Sequence, residues 1–110
     1  MTEDTRGLVG REELAAMRDD AYLVNVARGP VVNQDALVAA LERDALAGAG
    51  LDVFEEEPLP EDSLLWDREE VLVSPHCAAF TRDYHRDVAS LVRRSLDALA
   101  RGEEPVNRVV

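Results

Sequence analysis

Four polar side chains in this sequence are of the types that bind an organic acid and move a proton. They are Arg28, Asp52, Glu57 and His76. The planar guanidinium of an arginine suits a carboxylate, and its fixed charge suits the polarisation of a carbonyl oxygen. An imidazole gives or takes a proton near neutral pH, and a carboxylate bonded to it fixes its tautomer and stabilises its charged form. These residue types are able to bind a carboxylate and to exchange a proton.

Each of these residues also has a purely structural interpretation. Arg28 could form a salt bridge with one of the many acidic side chains, and Asp52 could cap the loop that follows it. A lone histidine such as His76 is commonly a surface residue or a hydrogen-bonded core residue. The neighbouring Glu55 and Glu56 are interpreted as solvated charge.

Three apolar segments predict the strands that position these side chains. They are Tyr22–Val26, the small-residue stretch that begins at Ala47 and reaches Asp52, and Val71–Val73. A helical pattern separates the first two, which predicts a βαβ unit with parallel strands and a right-handed crossover. Ligands of such sheets bind beyond the carboxyl ends of the strands. We therefore expect the arginine, the acidic residues and the histidine at one edge of a parallel sheet.

Two helices are predicted to flank this sheet. Residues 11–18 have a short amphipathic pattern, and residues 34–43 form a helix for which Asn33 is a suitable N-cap. Leu37 and Leu41 lie one turn apart and are expected to face the core.

A loop and a long helix are predicted after residue 57. Residues 58–70 are rich in proline and polar residues, and we expect the apolar triplet Leu64–Trp66 to pack against the domain; the alternative is a patch that faces a partner. Thr81 is the expected N-cap of a helix that spans about 81–101 and is stopped by Gly102. The apolar side of this helix comprises Tyr84, Val88, Leu91, Val92, Leu96 and Leu99.

Three motifs of the sequence together resemble the D-isomer-specific 2-hydroxyacid dehydrogenases. The motifs are Val24-Asn25-Val26-Ala27-Arg28-Gly29, Leu51-Asp52-Val53-Phe54 with Glu57-Pro58, and Ser74-Pro75-His76. The resemblance extends from about Thr2 to Val110. It implies an α/β fold, namely the second half of a Rossmann-type parallel sheet with flanking helices and a long C-terminal helix. Residues 1–110 would then form a partial NAD(P)-binding domain, truncated at its N-terminus.

The resemblance also implies a role for each residue of the motifs. His76 is expected to be the acid in reduction and the base in oxidation, Glu57 its partner, and Arg28 the group that holds the 2-oxo acid. Asp52 is expected to accept a hydrogen bond from the nicotinamide carboxamide. The expected cofactor contacts are Thr2, Val26, Ala27, Arg28, Asp52, His76 and Ala78. Family members often have glycine in the turn 77–79, and alanine there narrows the backbone conformations next to the cofactor.

These expectations describe an oxidoreductase that transfers a hydride between NAD or NADP and a 2-oxo acid such as glyoxylate, hydroxypyruvate or pyruvate. The alternative is a catalytically incompetent fragment or an interaction module, because the phosphate-binding motif G-x-G-x-x-G is absent from these 110 residues. The residue that would discriminate NAD from NADP is missing with it. The exposed core of an incomplete sheet predicts self-association or binding of a complementary N-terminal half.

The charge of the chain excludes several classes of partner. It has 23 acidic and 12 basic residues, a formal net charge of −11, and every basic residue is an arginine. Such a surface repels nucleic acids and anionic membranes. An acidic surface without lysine also fits a protein from a halophilic source, and the alternatives are a GC-rich genome or an acidic variant of an ordinary enzyme. No apolar run approaches the roughly 20 residues that span a bilayer, so a cytoplasmic location is expected.

The sequence offers little support for a metal site or a nucleophilic cysteine. His76, Cys77 and His85 lie near acidic residues, but neither a paired-cysteine motif nor H-E-x-x-H is present. Cys77 is the sole cysteine, which excludes an internal disulfide and fits a reducing compartment. No spacing in the sequence predicts a base beside it.

Overall fold

Three parallel strands form the centre of the fold in the computed structural model, which describes residues 2–108. The elements are α1 (Arg11–Ala16), β1 (Tyr22–Asn25), α2 (Gln34–Leu41), β2 (Gly48–Leu51), β3 (Val71–Val73) and α3 (Tyr84–Ala100), with short 3-10 helices at Glu3–Thr5 and Gly29–Val31. The strands lie in the order β1, β2, β3, and both pairs are parallel. The predicted α/β class and the parallel arrangement are therefore confirmed.

The register of the strands aligns their carboxyl ends. Asn25 of β1 is paired with Leu51 of β2, and Leu51 is paired with Val73 of β3. Because all three strands run in the same direction, the loops that follow them leave the sheet at one edge.

The chain divides into two compact units, Met1–Ala78 and Ala79–Val110. The first unit contains the sheet, α1 and α2, and the second contains α3. Among the described residues, no helix is both long enough and apolar enough to cross a membrane.

Leucine side chains dominate the core of the first unit. Leu14, Leu37, Leu41 and Leu65 are the largest of the fully buried side chains. Burying one such side chain stabilises a fold by about 1.5–3 kcal/mol relative to leaving it exposed. Helices α1 and α2 pack against each other, and the core cluster joins them to one face of the sheet.

The N-terminus of α2 is held by two side chains. The Asn33 side chain accepts a hydrogen bond from the Ala36 N–H at 2.8 Å, so the predicted N-cap is confirmed. The Glu55 Oε1 atom accepts the Gln34 N–H at 3.0 Å. Glu55 is exposed, in agreement with its interpretation as solvated charge, and its carboxylate also satisfies an otherwise unpaired N–H group at the helix N-terminus.

Two strands expose large apolar side chains on the second face of the sheet. In β1 the side chains alternate, so that Leu23 and Asn25 are buried whereas Tyr22 and Val24 are each 70% exposed. Leu72 of β3 is 73% exposed. We call Tyr22, Val24 and Leu72 the open sheet face.

The loop before β3 packs through one residue of its apolar triplet. Leu65 is 0% exposed, whereas Leu64 and Trp66 are about half exposed. The predicted packing of the triplet is thus correct for Leu65 and wrong for its two neighbours. The Trp66 indole N–H instead donates to the Pro60 carbonyl at 2.8 Å, which closes the loop on itself.

Helix α3 in the second unit is shorter than predicted at its N-terminus. It begins at Tyr84 after Asp83, so Thr81 as the N-cap was wrong. The physical reason is a turn in which the Thr81 carbonyl accepts the Tyr84 N–H. The predicted C-terminal stop is confirmed, because Gly102 has φ +74° and its N–H donates to the Leu99 carbonyl.

Candidate functional site

Glu57 and His76 form a hydrogen-bonded pair beyond the ends of β2 and β3. The Glu57 Oε2 and His76 Nδ1 atoms are 2.7 Å apart. The second carboxylate oxygen, Oε1, accepts the Phe54 N–H at 3.0 Å, which orients the carboxylate toward the imidazole. An imidazole whose Nδ1 bonds a carboxylate has Nε2 available for proton exchange with another molecule.

The environment keeps Glu57 ionised. The hydrogen bond with His76, and after it the bond from Phe54, hold the pKa of Glu57 below its ordinary value. The positive charge of Arg28 acts in the same direction. Arginine, glutamate and histidine from three different loops thus share one electrostatic environment.

The loop that carries Arg28 is shaped by the buried Asn25. The Asn25 Oδ1 atom accepts the Ala27 N–H at 3.1 Å, and its Nδ2 group donates to the Arg28 carbonyl at 3.1 Å. The Arg28 guanidinium is exposed and donates to the Ala27 carbonyl at 2.7 Å. Its remaining N–H groups leave it capable of binding a carboxylate.

Gly29 allows the Arg28 loop to lie directly against the loop that contains Glu57. A Cβ atom at residue 29 would be 1.8 Å from the Phe54 carbonyl oxygen and 2.5 Å from the Glu55 nitrogen. Only a residue without a side chain fits there, so the two loops are in contact through their main chains.

Asp52 is the buried acidic residue of the site. Its Oδ1 atom accepts the Ser74 hydroxyl at 2.6 Å and the Cys77 N–H at 2.9 Å, and its Oδ2 atom accepts the Ala78 N–H at 2.8 Å. The Ser74 bond, followed by the bonds from Ala78 and Cys77, lowers the pKa of Asp52 to about 2, although burial opposes this shift. Asp52 is therefore an anion that is 3% exposed and bound by the loop of His76.

A cavity of about 450 Å³ adjoins the Glu57–His76 pair. Its walls are mainly apolar and include Phe54, Leu59 and Trp66. The polar groups at this cavity are those of the pair and of Ser74. A small organic molecule can therefore enter beside the His76 imidazole.

Comparison with known proteins identifies the family. Residues 1–78, nearly three quarters of the chain, match the family described as "D-isomer specific 2-hydroxyacid dehydrogenase, NAD binding domain". The chain belongs to this family. The matched segment ends where the first structural unit of this dehydrogenase domain ends.

Relatives of this dehydrogenase domain with assigned activities include two reductases. The chain is 45% identical to a glyoxylate reductase from Korarchaeum cryptofilum, over 99% of this chain and 33% of that protein. It is 44% identical to glyoxylate/hydroxypyruvate reductase B from Pectobacterium carotovorum, over 99% of this chain and 34% of that protein. The chain thus spans about a third of the length of these relatives.

Solved structures of the dehydrogenase family share the fold. A D-isomer specific 2-hydroxyacid dehydrogenase from Xanthobacter autotrophicus Py2, crystallised with NADPH and MES, superposes with a TM-score of 0.89 and is 44% identical; the match covers 100% of this chain and 45% of that one. The NADPH-dependent glyoxylate/hydroxypyruvate reductase of Sinorhizobium meliloti, crystallised with NADP and sulfate, gives a TM-score of 0.86 at 30% identity, over 99% of this chain and 35% of that one.

The structure places the other residues predicted to contact a cofactor in two groups. Val26 and Ala27 are exposed just after β1, and Ala78 is exposed next to the Asp52 carboxylate that binds its N–H. All three therefore lie in the loops beyond the strand ends. Thr2 is not joined to these loops by any hydrogen bond within residues 2–108, and its bonds are with Thr5.

Two residues that shape the site were missed by the sequence reasoning. Asn25 and Ser74 each use their side chain to hold a loop that carries a candidate catalytic residue. The available signal was a polar residue at the end of a β-branched run, where a buried side chain needs a hydrogen-bond partner. Across residues 2–108, no group of three histidine, cysteine or acidic residues is arranged to hold a metal ion.

Proposed function

We propose that this chain is a partial NAD(P)-binding domain of a D-2-hydroxyacid dehydrogenase that reduces a 2-oxo acid to the D-hydroxy acid. The observation that carries the proposal is the Glu57–His76 pair at 2.7 Å, with the charge of Arg28 from the neighbouring loop acting on Glu57. The relatives named as glyoxylate and hydroxypyruvate reductases support small 2-oxo acids as substrates.

Each side chain supplies one part of the reaction. Arg28 holds the substrate carboxylate and polarises the 2-oxo group. His76, oriented by Glu57, donates a proton from Nε2 to the carbonyl oxygen, which becomes the hydroxyl. In the reverse direction the same nitrogen takes the proton from the hydroxyl group.

The residues present fit the nicotinamide end of NAD or NADP. When bound, the nicotinamide supplies or receives the hydride at the carbon that carries the oxygen. Asp52 directly follows β2, and its carboxylate would accept a hydrogen bond from the nicotinamide carboxamide. The exposed Val26 and Ala27 provide small, mostly apolar contacts for a flat ring.

The first experiment is a fluorescence titration of NADH and NADPH into the folded chain, followed by a reductase assay with glyoxylate, hydroxypyruvate and pyruvate. We expect saturable binding and a rate that His76→Gln lowers by about 10²–10⁴, the usual contribution of a general acid. His85→Gln, which changes the other histidine, is the matched control and should retain the wild-type rate. A folded chain without saturable binding, or an unaffected His76→Gln variant, would overturn the proposal.

We also propose that the chain self-associates, or binds a complementary N-terminal half, through the open sheet face. Three large apolar side chains that are at least 70% exposed support this, because such surfaces mark interfaces. Sedimentation velocity should show concentration-dependent association that Leu72→Gln weakens. Leu64→Gln is the control, since Leu64 is exposed but lies outside this face. A monomer throughout the micromolar range would contradict self-association.

We propose a cytoplasmic location for the protein. A sole cysteine without a disulfide partner and the proposed use of a nicotinamide cofactor support it. Cell fractionation with an antibody to the chain tests this, and recovery in an extracellular or membrane fraction would contradict it.

A further inference from the structure

The residues on both sides of His76 are bound to one carboxylate. Ser74 precedes the histidine by two positions, and its hydroxyl donates to Asp52 Oδ1 at 2.6 Å. The next two residues, Cys77 and Ala78, donate their N–H groups to the same carboxylate at 2.9 and 2.8 Å. His76 therefore lies in the chain between one hydrogen-bond donor and two others, and all three donors bind the Asp52 carboxylate.

This arrangement holds His76 in an uncommon backbone conformation. Its φ is +50°, in the left-handed region that few residues other than glycine adopt. Such a conformation persists only where the surroundings determine it. The surroundings here are the three bonds to Asp52, with a further bond from the His76 N–H to the Ser74 carbonyl at 3.1 Å.

The partner of the histidine is tied to the same point of the chain. Glu57 Oε1 accepts the N–H of Phe54, which lies two residues after Asp52. Asp52 is thus bonded through its side chain to the loop of His76, and it lies two residues before the main-chain N–H that orients Glu57.

We propose that Ser74 and Asp52 are positioning residues. The hydrogen bonds from Ser74, Cys77 and Ala78 to the Asp52 carboxylate form a clamp around His76. The Ser74 hydroxyl closes this clamp and thereby holds His76 Nδ1 against Glu57. The catalytic meaning of the clamp rests on the proposed function. Its geometry does not, because the contact between His76 and Glu57 is measurable without cofactor or substrate. The clamp assigns to the Asp52 carboxylate a task that is separate from any contact with nicotinamide.

The test is NMR spectroscopy of the whole chain labelled with ¹⁵N-histidine and ¹³C-glutamate. The His76 Nδ1–H signal, assigned by its retention in His85→Gln, reports the hydrogen bond to Glu57. In Ser74→Ala we expect loss of this signal and a rise of the Glu57 pKa toward its ordinary value, because the bond with His76 is the main cause of the lowered value. Ser74→Thr keeps a hydroxyl and should restore both readouts.

Controls separate this role from a general effect on the fold. Ser63→Ala changes a serine of the same unit that lies outside the clamp, and it should leave both readouts unchanged. If Ser74→Ala does not fold, Asp52→Asn, which keeps the size of the side chain but loses the charge, is measured in its place and should also lose the signal. A folded variant with the wild-type Nδ1–H signal and Glu57 titration overturns the clamp. Absence of cofactor binding beside an intact wild-type signal overturns the proposed function alone.

Discussion

Gly29 is the residue at which the two loops of the site touch. Replacement by alanine would place a Cβ atom 1.8 Å from the Phe54 carbonyl oxygen, so one loop must move. We expect Gly29→Ala to lower the free energy of unfolding by about 1–3 kcal/mol or more, as overpacking does, and to displace Glu57 from His76.

Gly50→Ala is the matched control for Gly29→Ala. Its Cβ atom would meet Val24 at 3.7 Å, an ordinary contact within the same unit. Urea denaturation of both variants measures the difference, and equal stabilities would show that the two loops separate without cost.

Because of Asp52, we expect the stability of the fold to depend on pH in the acidic range. Its pKa in the folded chain is about 2, below the ordinary 3.8, so its ionised form is favoured by folding. The resulting stabilisation is fully present above about pH 4 and is lost as the pH falls toward about 2.

The comparison of wild type with Asp52→Asn isolates this contribution. We expect the variant to be less stable at neutral pH, and the difference in unfolding free energy to shrink as the pH falls toward about 2. Chemical denaturation at several pH values measures it. A difference that is constant with pH would mean that the Asp52 carboxylate is not stabilised by Ser74 and its neighbours.

At the residue scale, the sequence predicted which candidate side chains lie beyond the strand ends but not how they are held. Arg28, Glu57 and His76 follow strand ends, and that position is visible in the apolar pattern. The hydrogen bonds that Asn25 and Ser74 make were not predictable, because the partners of a polar side chain depend on the course of the loops around it. Both residues are ordinary polar residues until the neighbouring strands are aligned.

At the scale of elements, the loop before β3 depends on one leucine. Leu65 is 0% exposed, and Leu65→Ala should lower the free energy of unfolding by about 2–5 kcal/mol through the lost burial and the cavity it leaves. Leu64→Ala, at a residue that is 55% exposed, is the neighbouring control and should change stability far less. Thermal or urea unfolding of both variants decides whether residues 58–70 unfold together with the rest of the first unit.

The elements themselves were predictable where a pattern repeats. The paired leucines of α2 and the β-branched runs of β1 and β3 specified helix and strands within one or two residues. The start of α3 was misplaced because Thr81 and Asp83 are both plausible caps, and the choice depends on a turn that has no sequence repeat.

At the scale of the whole molecule, the net charge of −11 opposes compaction. Salt screens repulsion between charges that are more than about 8 Å apart at physiological ionic strength. We expect the melting temperature to rise with sodium chloride, and a gain of about 1 kcal/mol would raise it by about 4–8 °C. Calorimetry in salt, compared with a non-ionic osmolyte of equal osmolarity, measures the effect. A melting temperature that is unchanged or lower in salt would contradict an adaptation to saline conditions.

The sequence predicted the class of the sheet and an exposed apolar surface on it. The structure leaves Tyr22, Val24 and Leu72 exposed. The hydrophobic pattern marks which residues avoid water and does not specify the surface that would cover this face.

The clamp and the pair have a consequence for the order of folding. The bond between Glu57 and His76 closes a separation of 19 residues, and the bond between Asp52 and Ala78 one of 26. Contacts of this range form after local helical ones, since the entropy of loop closure must first be overcome. During refolding, the His76 Nδ1–H signal should appear later than the helical circular dichroism, so the geometry of the candidate site would serve as a reporter of complete tertiary assembly. A compact intermediate that has its helices but lacks strand pairing would not show the His76 Nδ1–H signal.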